Sequence, residues 1–198
     1  MTSTAKTFPP IGFFTIVERS DVGFTGGYLV LNAAGRPLEF HCTTPLRPNR
    51  SQEILYGPTL RSYVVGEQIG QALVAKSALQ PLFVCTDILD GLSLNELVSF
   101  PVLLVDDADS SQIERETGSP TRIDSAHRPS GVPMSNSSVA GPHVKKRIGN
   151  RELVIQGGQV SSWEQASKVF SPFADSLDLL EPFNRIREAI DEIQKSSK

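Results

Sequence analysis

The chain has 198 residues, 39% of them hydrophobic and 21% charged, with a formal net charge of −3. That length and composition fit one globular domain, or one core with a mobile segment, and the acidic balance excludes whole-chain attraction to nucleic acid or to an anionic membrane. No apolar run approaches the roughly 18 to 20 residues of a membrane span, and the opening MTSTAKTFPP has no signal-peptide core, so the expected location is cytoplasmic, with no membrane partner. The two cysteines, Cys42 and Cys85, lie in apparent strands and are expected to be small, buried and unpaired.

Residues 1–10 read as a flexible start ending in Pro9 and Pro10. From Ile11 to Glu18, IGFFTIVE is rich in β-branched and aromatic residues and predicts a strand. Gly23, Gly26 and Gly27 then punctuate a connection. YLVLN and RPLEFHCTT flank Ala33, Ala34 and Gly35, which predicts a hairpin with glycine where a positive φ is needed. In PLRPNR the residues before each proline are pushed away from helical angles, so this is a polar loop. Ser51 is a plausible N-cap for the short helix SQEILY, which Gly57 and Pro58 end. Thr59 opens a longer helix with Leu60, Val64, Ile69 and Leu73 near helical spacing, and its Gly66 and Gly70 would allow close approach of a strand backbone.

PLFVCTD and FPVLLVDD are continuous apolar runs bounded by proline and aspartate, the pattern of fully buried central strands, with a turn or short helix at DILDGLSLNELVS between them. Residues 108–149 are dominated by serine, proline, glycine and mixed charge, and predict a disordered insertion or linker. Order returns in the strand RELVIQ, the helix SWEQASKVF and a last helix whose Leu179, Leu180, Phe183, Ile186, Ile190 and Ile193 form one apolar stripe in need of a partner surface. This order is not a repeating βαβ series. It predicts an α+β domain over 11–107 plus 150–195: a mixed, mostly antiparallel sheet with packed helices and a C-terminal amphipathic helix.

Three groups of side chains are candidates for chemistry. Asp87 ends one buried strand and Asp106 with Asp107 ends the next. If the strands run parallel, the carboxylates share a sheet edge and can hold Mg²⁺ or Mn²⁺, hard ions that take oxygen ligands, whereas antiparallel strands would separate them. Aspartate also commonly ends strands simply because its side chain bonds nearby amides. Glu39 and His41 share one strand face, opposite Phe40 and Cys42, so the carboxylate can orient the imidazole for acid–base work or merely line a polar surface. Arg47, Asn49, Arg50 and Tyr56 surround a helix start, where guanidinium groups and free amides suit a phosphate or carboxylate, or where the arginines form surface bridges.

A zinc site lacks paired cysteine spacing, His127 and His143 fall in the expected insertion, and no phosphate-binding glycine motif is present. Lys145, Lys146 and Arg147 form a short basic run without interleaved aromatics. Without a complete catalytic motif, the leading expectation is a non-catalytic interaction or regulatory module that meets a protein partner, or a second copy, through its C-terminal helix or the Arg47 to Tyr56 region, with nucleic acid disfavoured. The alternative is a metal-dependent phosphoester hydrolase or nuclease, with Glu39 and His41 catalytic, Asp87, Asp106 and Asp107 holding Mg²⁺ or Mn²⁺, and Arg47 and Arg50 clamping phosphate.

Overall fold

In the computed structural model, residues 8–106, 142–148, 151–174 and 177–196 are described. The β-rich start forms a meander in which β1 (Ile11–Arg19), β2 (Gly23–Leu31) and β3 (Pro37–Cys42) pair antiparallel in sequence order. The two apolar runs then return beside β1: β4 (Val84–Thr86) pairs parallel with β1, and β5 (Val102–Asp106) pairs parallel with β4. Strands β6 (His143–Ile148) and β7 (Arg151–Gln156) complete the other side antiparallel, giving the order β3-β2-β1-β4-β5-β7-β6. The result is an α+β fold built on a mixed, mostly antiparallel sheet of seven strands.

The helices cover both faces. Helix α1 (Arg50–Tyr56) is followed by α2, residues 60–76, whose middle Tyr63–Gly70 is π-helical; α3 (Val160–Phe170) and α4 (Glu181–Ser196) close the chain. Strand alternation divides the core cleanly. Phe13, Leu29, Cys85, Leu103 and Leu153 pack with Trp163 and Phe170 of α3 and with Ile186 of α4. Phe14, Tyr28, Val30 and Val84 pack on the opposite face with Val64, Ile69 and Leu73 of α2. Because both faces of the central strands are covered, β4 and β5 read in sequence as unbroken apolar runs rather than alternating ones.

The glycines assigned to a connection belong to β2. A Cβ at Gly26 would overlap Ile69 of α2, and a Cβ at Gly27 would overlap Ile186 of α4. Glycine is poor in a strand interior unless something approaches closely, and here a helix does so from each side. In α2 the glycine reading partly holds: Gly66 admits Ser93 and Gly70 lies against Leu94 and Phe14, so a 3₁₀ segment, Leu89–Glu96, takes most of the space expected for a strand.

Residues 107–141, most of the expected insertion, lie outside the described residues, and so do Asp107 and His127. Residues 143–148, expected within that insertion, form β6, paired along its whole length with β7. The stripe on α4 finds its partner within the chain: Phe183, Ile186 and Ile190 are buried against β1 and β2, and only Ile193 stays half exposed. Each such burial contributes about 1.5 to 3 kcal/mol. Among the described residues no helix is long and apolar enough to cross a membrane.

Candidate functional site

Parallel pairing of β4 with β5 brings their C-terminal ends to one edge of the sheet. Thr86 pairs with Leu104, so Asp87 stands level with Val105, and Asp106 lies one residue further along β5. On the other side Phe14 pairs with Thr86, which puts Thr15 of β1 level with Asp87. Thr15 follows Phe13 in the alternation, so it faces the α3–α4 layer. The polar edge of that layer is closed by α4. Arg187 donates from Nη2 to Asp87 Oδ2 and from Nη1 to Asn184 Oδ1 at 3.3 Å. Asp87 Oδ1 and Thr15 Oγ1 are both buried and have no hydrogen-bond partner among the described residues. Two orphaned oxygens in adjacent register positions are costly, since each forfeits its hydration without recovering a bond.

Glu39 and His41 do share a face, with His41 Nε2 3.2 Å from Glu39 Oε2. The same carboxylate oxygen accepts from Ser77 Oγ at 2.7 Å and from the Ala78 amide at 3.2 Å. The Ser77 bond, aided by those from His41 and Ala78, holds the Glu39 carboxyl below its usual range despite partial burial. These bonds tie β3 to the chain leaving α2, on the opposite face of the sheet from Arg187. Glu39 and His41 therefore do not converge with Asp87, and among the described residues no three His, Cys, Asp or Glu side chains form a group that could hold a metal ion.

At the start of α1 the polar groups are paired with one another. Asn49, not Ser51, is the N-cap: its Oδ1 accepts from the Gln52 amide and Gln52 Oε1 accepts from the Asn49 amide, each at 2.9 Å, a reciprocal capping box. Arg47 donates to the carbonyls of Ser20, at 3.1 Å, and Asp21, pinning the loop to the β1–β2 turn. Arg50 pairs with Glu53 at 2.9 Å on the surface, and Tyr56 stacks on Tyr63 with ring centroids 3.9 Å apart. Cys42 is half buried and Cys85 fully buried, and burial pushes the Cys85 thiol well up, as an inert core residue requires.

Sequence reasoning passed over three participants. Thr15 left a signal, being the one polar side chain in FFTIV. Arg187 left none, because its partner Asp87 is 100 residues away. Asp90 read as a turn residue but is buried, with Oδ2 accepting from Arg61 Nε and Oδ1 from Ser62 Oγ, both at 2.8 Å, while Arg61 also reaches Glu18. Burial works against the Arg61 charge, yet Glu18 and Asp90 outweigh it and raise its pKa, so the network anchors α2 to the Leu89–Glu96 segment.

No protein-family model and no curated protein matches the sequence. Solved structures that resemble the chain include Endonuclease V of Ciona intestinalis with a 23mer DNA containing an inosine followed by a ribo-adenosine. It is 14% identical, with a TM-score of 0.47 over 96% of this chain and 88% of that one. The same protein with a 24mer DNA is 16% identical, with a TM-score of 0.42 over 96% and 89% of the two chains. A likeness of this size is not by itself an assignment of activity. The expectation of a non-catalytic interaction module with a protein partner and nucleic acid disfavoured is corrected at the surface it rested on, because α4 spends its apolar stripe on its own sheet rather than offering it to a protein or a second copy. The resembling structures are of an endonuclease in complex with DNA, a property of that protein.

Proposed function

We propose that the chain is a metal-dependent phosphoester hydrolase acting on nucleic acid at the edge where β4 and β5 end. The observation that carries this reading is the parallel pairing of those strands, which brings Asp87 and Asp106 to the same edge of the sheet, one residue apart in register. Antiparallel neighbours would have sent them to opposite ends. Two buried oxygens without partners among the described residues, Asp87 Oδ1 and Thr15 Oγ1, add the hard donors that Mg²⁺ or Mn²⁺ takes. Such ions commonly use one or two carboxylates, keep several waters and complete their shell with substrate phosphate, so a sparse set of protein donors fits.

When bound, the ion would polarise a phosphate oxygen and supply a more acidic water as nucleophile. Asp87 and Thr15 would hold it from below, with Asp106 at the neighbouring strand end. Arg187 brings a guanidinium to the same place, where a phosphate oxygen can compete with Asp87 for its donors. Glu39 and His41 stand apart from this centre. A cytoplasmic setting belongs to the same reading and accords with two cysteines that are both free.

The test is cleavage of end-labelled DNA and RNA, single-stranded and duplex, with Mg²⁺ or Mn²⁺ and with EDTA. Divalent-dependent cleavage that Asp87→Asn and Asp106→Asn abolish, while circular dichroism and melting show a retained fold, is the expected result. No cleavage of any of these substrates by the unaltered protein, or unchanged cleavage by both variants, overturns the reading.

A further inference from the structure

The edge that ends in Asp87 continues across the sheet to a set of cations. Asp106 pairs with Glu152 of β7, and Glu152 pairs with Arg147 of β6; one residue back, Val105 pairs with Leu153 and Leu153 with Lys146. Asp87 is level with Val105, so Lys146 sits in the same cross-strand row. It also faces the same layer, because paired residues share a face and Val105 and Leu153 both belong to the α3–α4 core. Three strand spacings of about 4.8 Å put Lys146 about 14 Å from Asp87.

Between β6 and α3 lies a cleft of about 430 Å³ whose lining includes Lys146, Arg147, Glu164, Ser167 and Lys168, floored by the Trp163 indole. Lys146, Arg147 and Lys168 make no ion pair among the described residues, while the one acid in the lining is Glu164. In a chain of net charge −3, Lys146 and Lys168 in this cleft, with Arg147 at its rim across from Glu152, outnumber the single Glu164 of the lining and form a local field opposite in sign to the whole. Among the described residues the same strand is the edge of the sheet, and its outward backbone groups have no neighbouring strand to bond. Amides of that kind commonly supplement arginine and lysine in contacts to phosphate.

We propose that this cleft is the docking channel for the phosphodiester backbone of a nucleic-acid strand, leading it along the sheet edge toward Asp87. It rests on the reading of nucleic acid as the substrate class. Trp163 is buried, so the channel grips phosphates rather than stacking bases, and binding is insensitive to sequence.

The experiment measures binding of the full chain to fluorescein-labelled single-stranded and duplex oligonucleotides by anisotropy, in EDTA, across a salt series. The triple variant Lys146→Ala, Arg147→Ala, Lys168→Ala is expected to bind at least about tenfold more weakly, with a log–log salt slope shallower by about 2 on single strands and nearly 3 on duplex. A control removing equal charge elsewhere, Arg36→Ala, Lys76→Ala, Lys195→Ala, should leave the slope unchanged. Edge lysines also discourage pairing between sheets; if that is their only role, the triple variant aggregates more but binds as before, and the proposal is overturned. Equal losses in variant and control, or no binding by the unaltered protein at low salt, overturn it as well. Binding is read in EDTA and cleavage separately with Mg²⁺ or Mn²⁺, so binding in EDTA with no divalent-dependent cleavage would refute the hydrolase and leave the channel standing, whereas divalent-dependent cleavage unaffected by the triple variant would do the reverse.

Discussion

Replacing Arg187 with alanine isolates the interaction on which the site is built. The side chain of Asp87 is 13% exposed and that of Arg187 41%, so the pair is half sheltered. Removing one partner of a fully buried pair costs about 3 to 5 kcal/mol, because the remaining charge is stranded. An exposed pair is worth less than about 1 kcal/mol. With one side open to water, Arg187→Ala should cost about 1 to 2 kcal/mol, lying between those limits. Asp87→Asn alone leaves a neutral amide beside a guanidinium that can turn to solvent, and should cost less. The double variant should regain most of what Arg187→Ala loses, giving a coupling of about 1 to 2 kcal/mol. Urea unfolding of all four proteins at neutral pH, in metal-free buffer, measures it. A coupling under about 0.3 kcal/mol would mean that Asp87 is not held by Arg187, and the description of a sheltered strand-end carboxylate would fail.

Three further outcomes are expected. Thr15→Val keeps the shape of the side chain and deletes a buried hydroxyl that has no partner, so it should stabilise the metal-free protein by about 1 kcal/mol in urea unfolding; destabilisation would reveal a bond that the hydroxyl makes. Glu39 has a folded-state pKa below its usual value of 4.5, so its contribution is complete above that value and is lost as pH falls through the lower folded pKa. The stability gap between the unaltered protein and Glu39→Gln should thus be constant near neutrality and close in acid, and Ser77→Ala should shift the closure toward higher pH. Ile186→Ala, in the α4 layer, should cost about 2 to 5 kcal/mol by thermal or urea unfolding, and a value near zero would deny that α4 is anchored on the sheet.

The parts of the fold that repeat a local period were legible. The β2–β3 hairpin, the two buried runs that became β4 and β5, and the stripe of α4 each follow from the spacing of apolar residues over a few turns or pleats. Strand β6 was not legible, because HVKKRI carries three cations and sits at an exposed edge where packing exerts little selection on the pattern. The first half of β2 was hidden by its glycines, whose reason lies in helices that arrive much later in the chain. At the site, Asp87 could be named as a strand-end carboxylate, but its alignment with Thr15 depended on the parallel register and its pairing on a residue 100 positions away. Grouping Glu39 and His41 with the aspartates failed for a simpler reason: alternation along one strand says which residues share a face, but not which face of the sheet that is or which other strand ends it meets.

Gly26 and Gly27 put the two faces of the molecule under a shared constraint. Neighbouring residues of a strand look in opposite directions, so this dipeptide is a waist at which Ile69 presses from one side and Ile186 from the other. Each layer can drift in sequence with its own side chains, but neither can thicken the sheet at this point without displacing its helix. Growth at Gly27 alone would lever α4 outward and carry Arg187 away from Asp87, whereas growth at Gly26 would tilt α2 and leave that pair in place. The carboxylate that ends β4 is thus tuned from a site on β2 that it never touches.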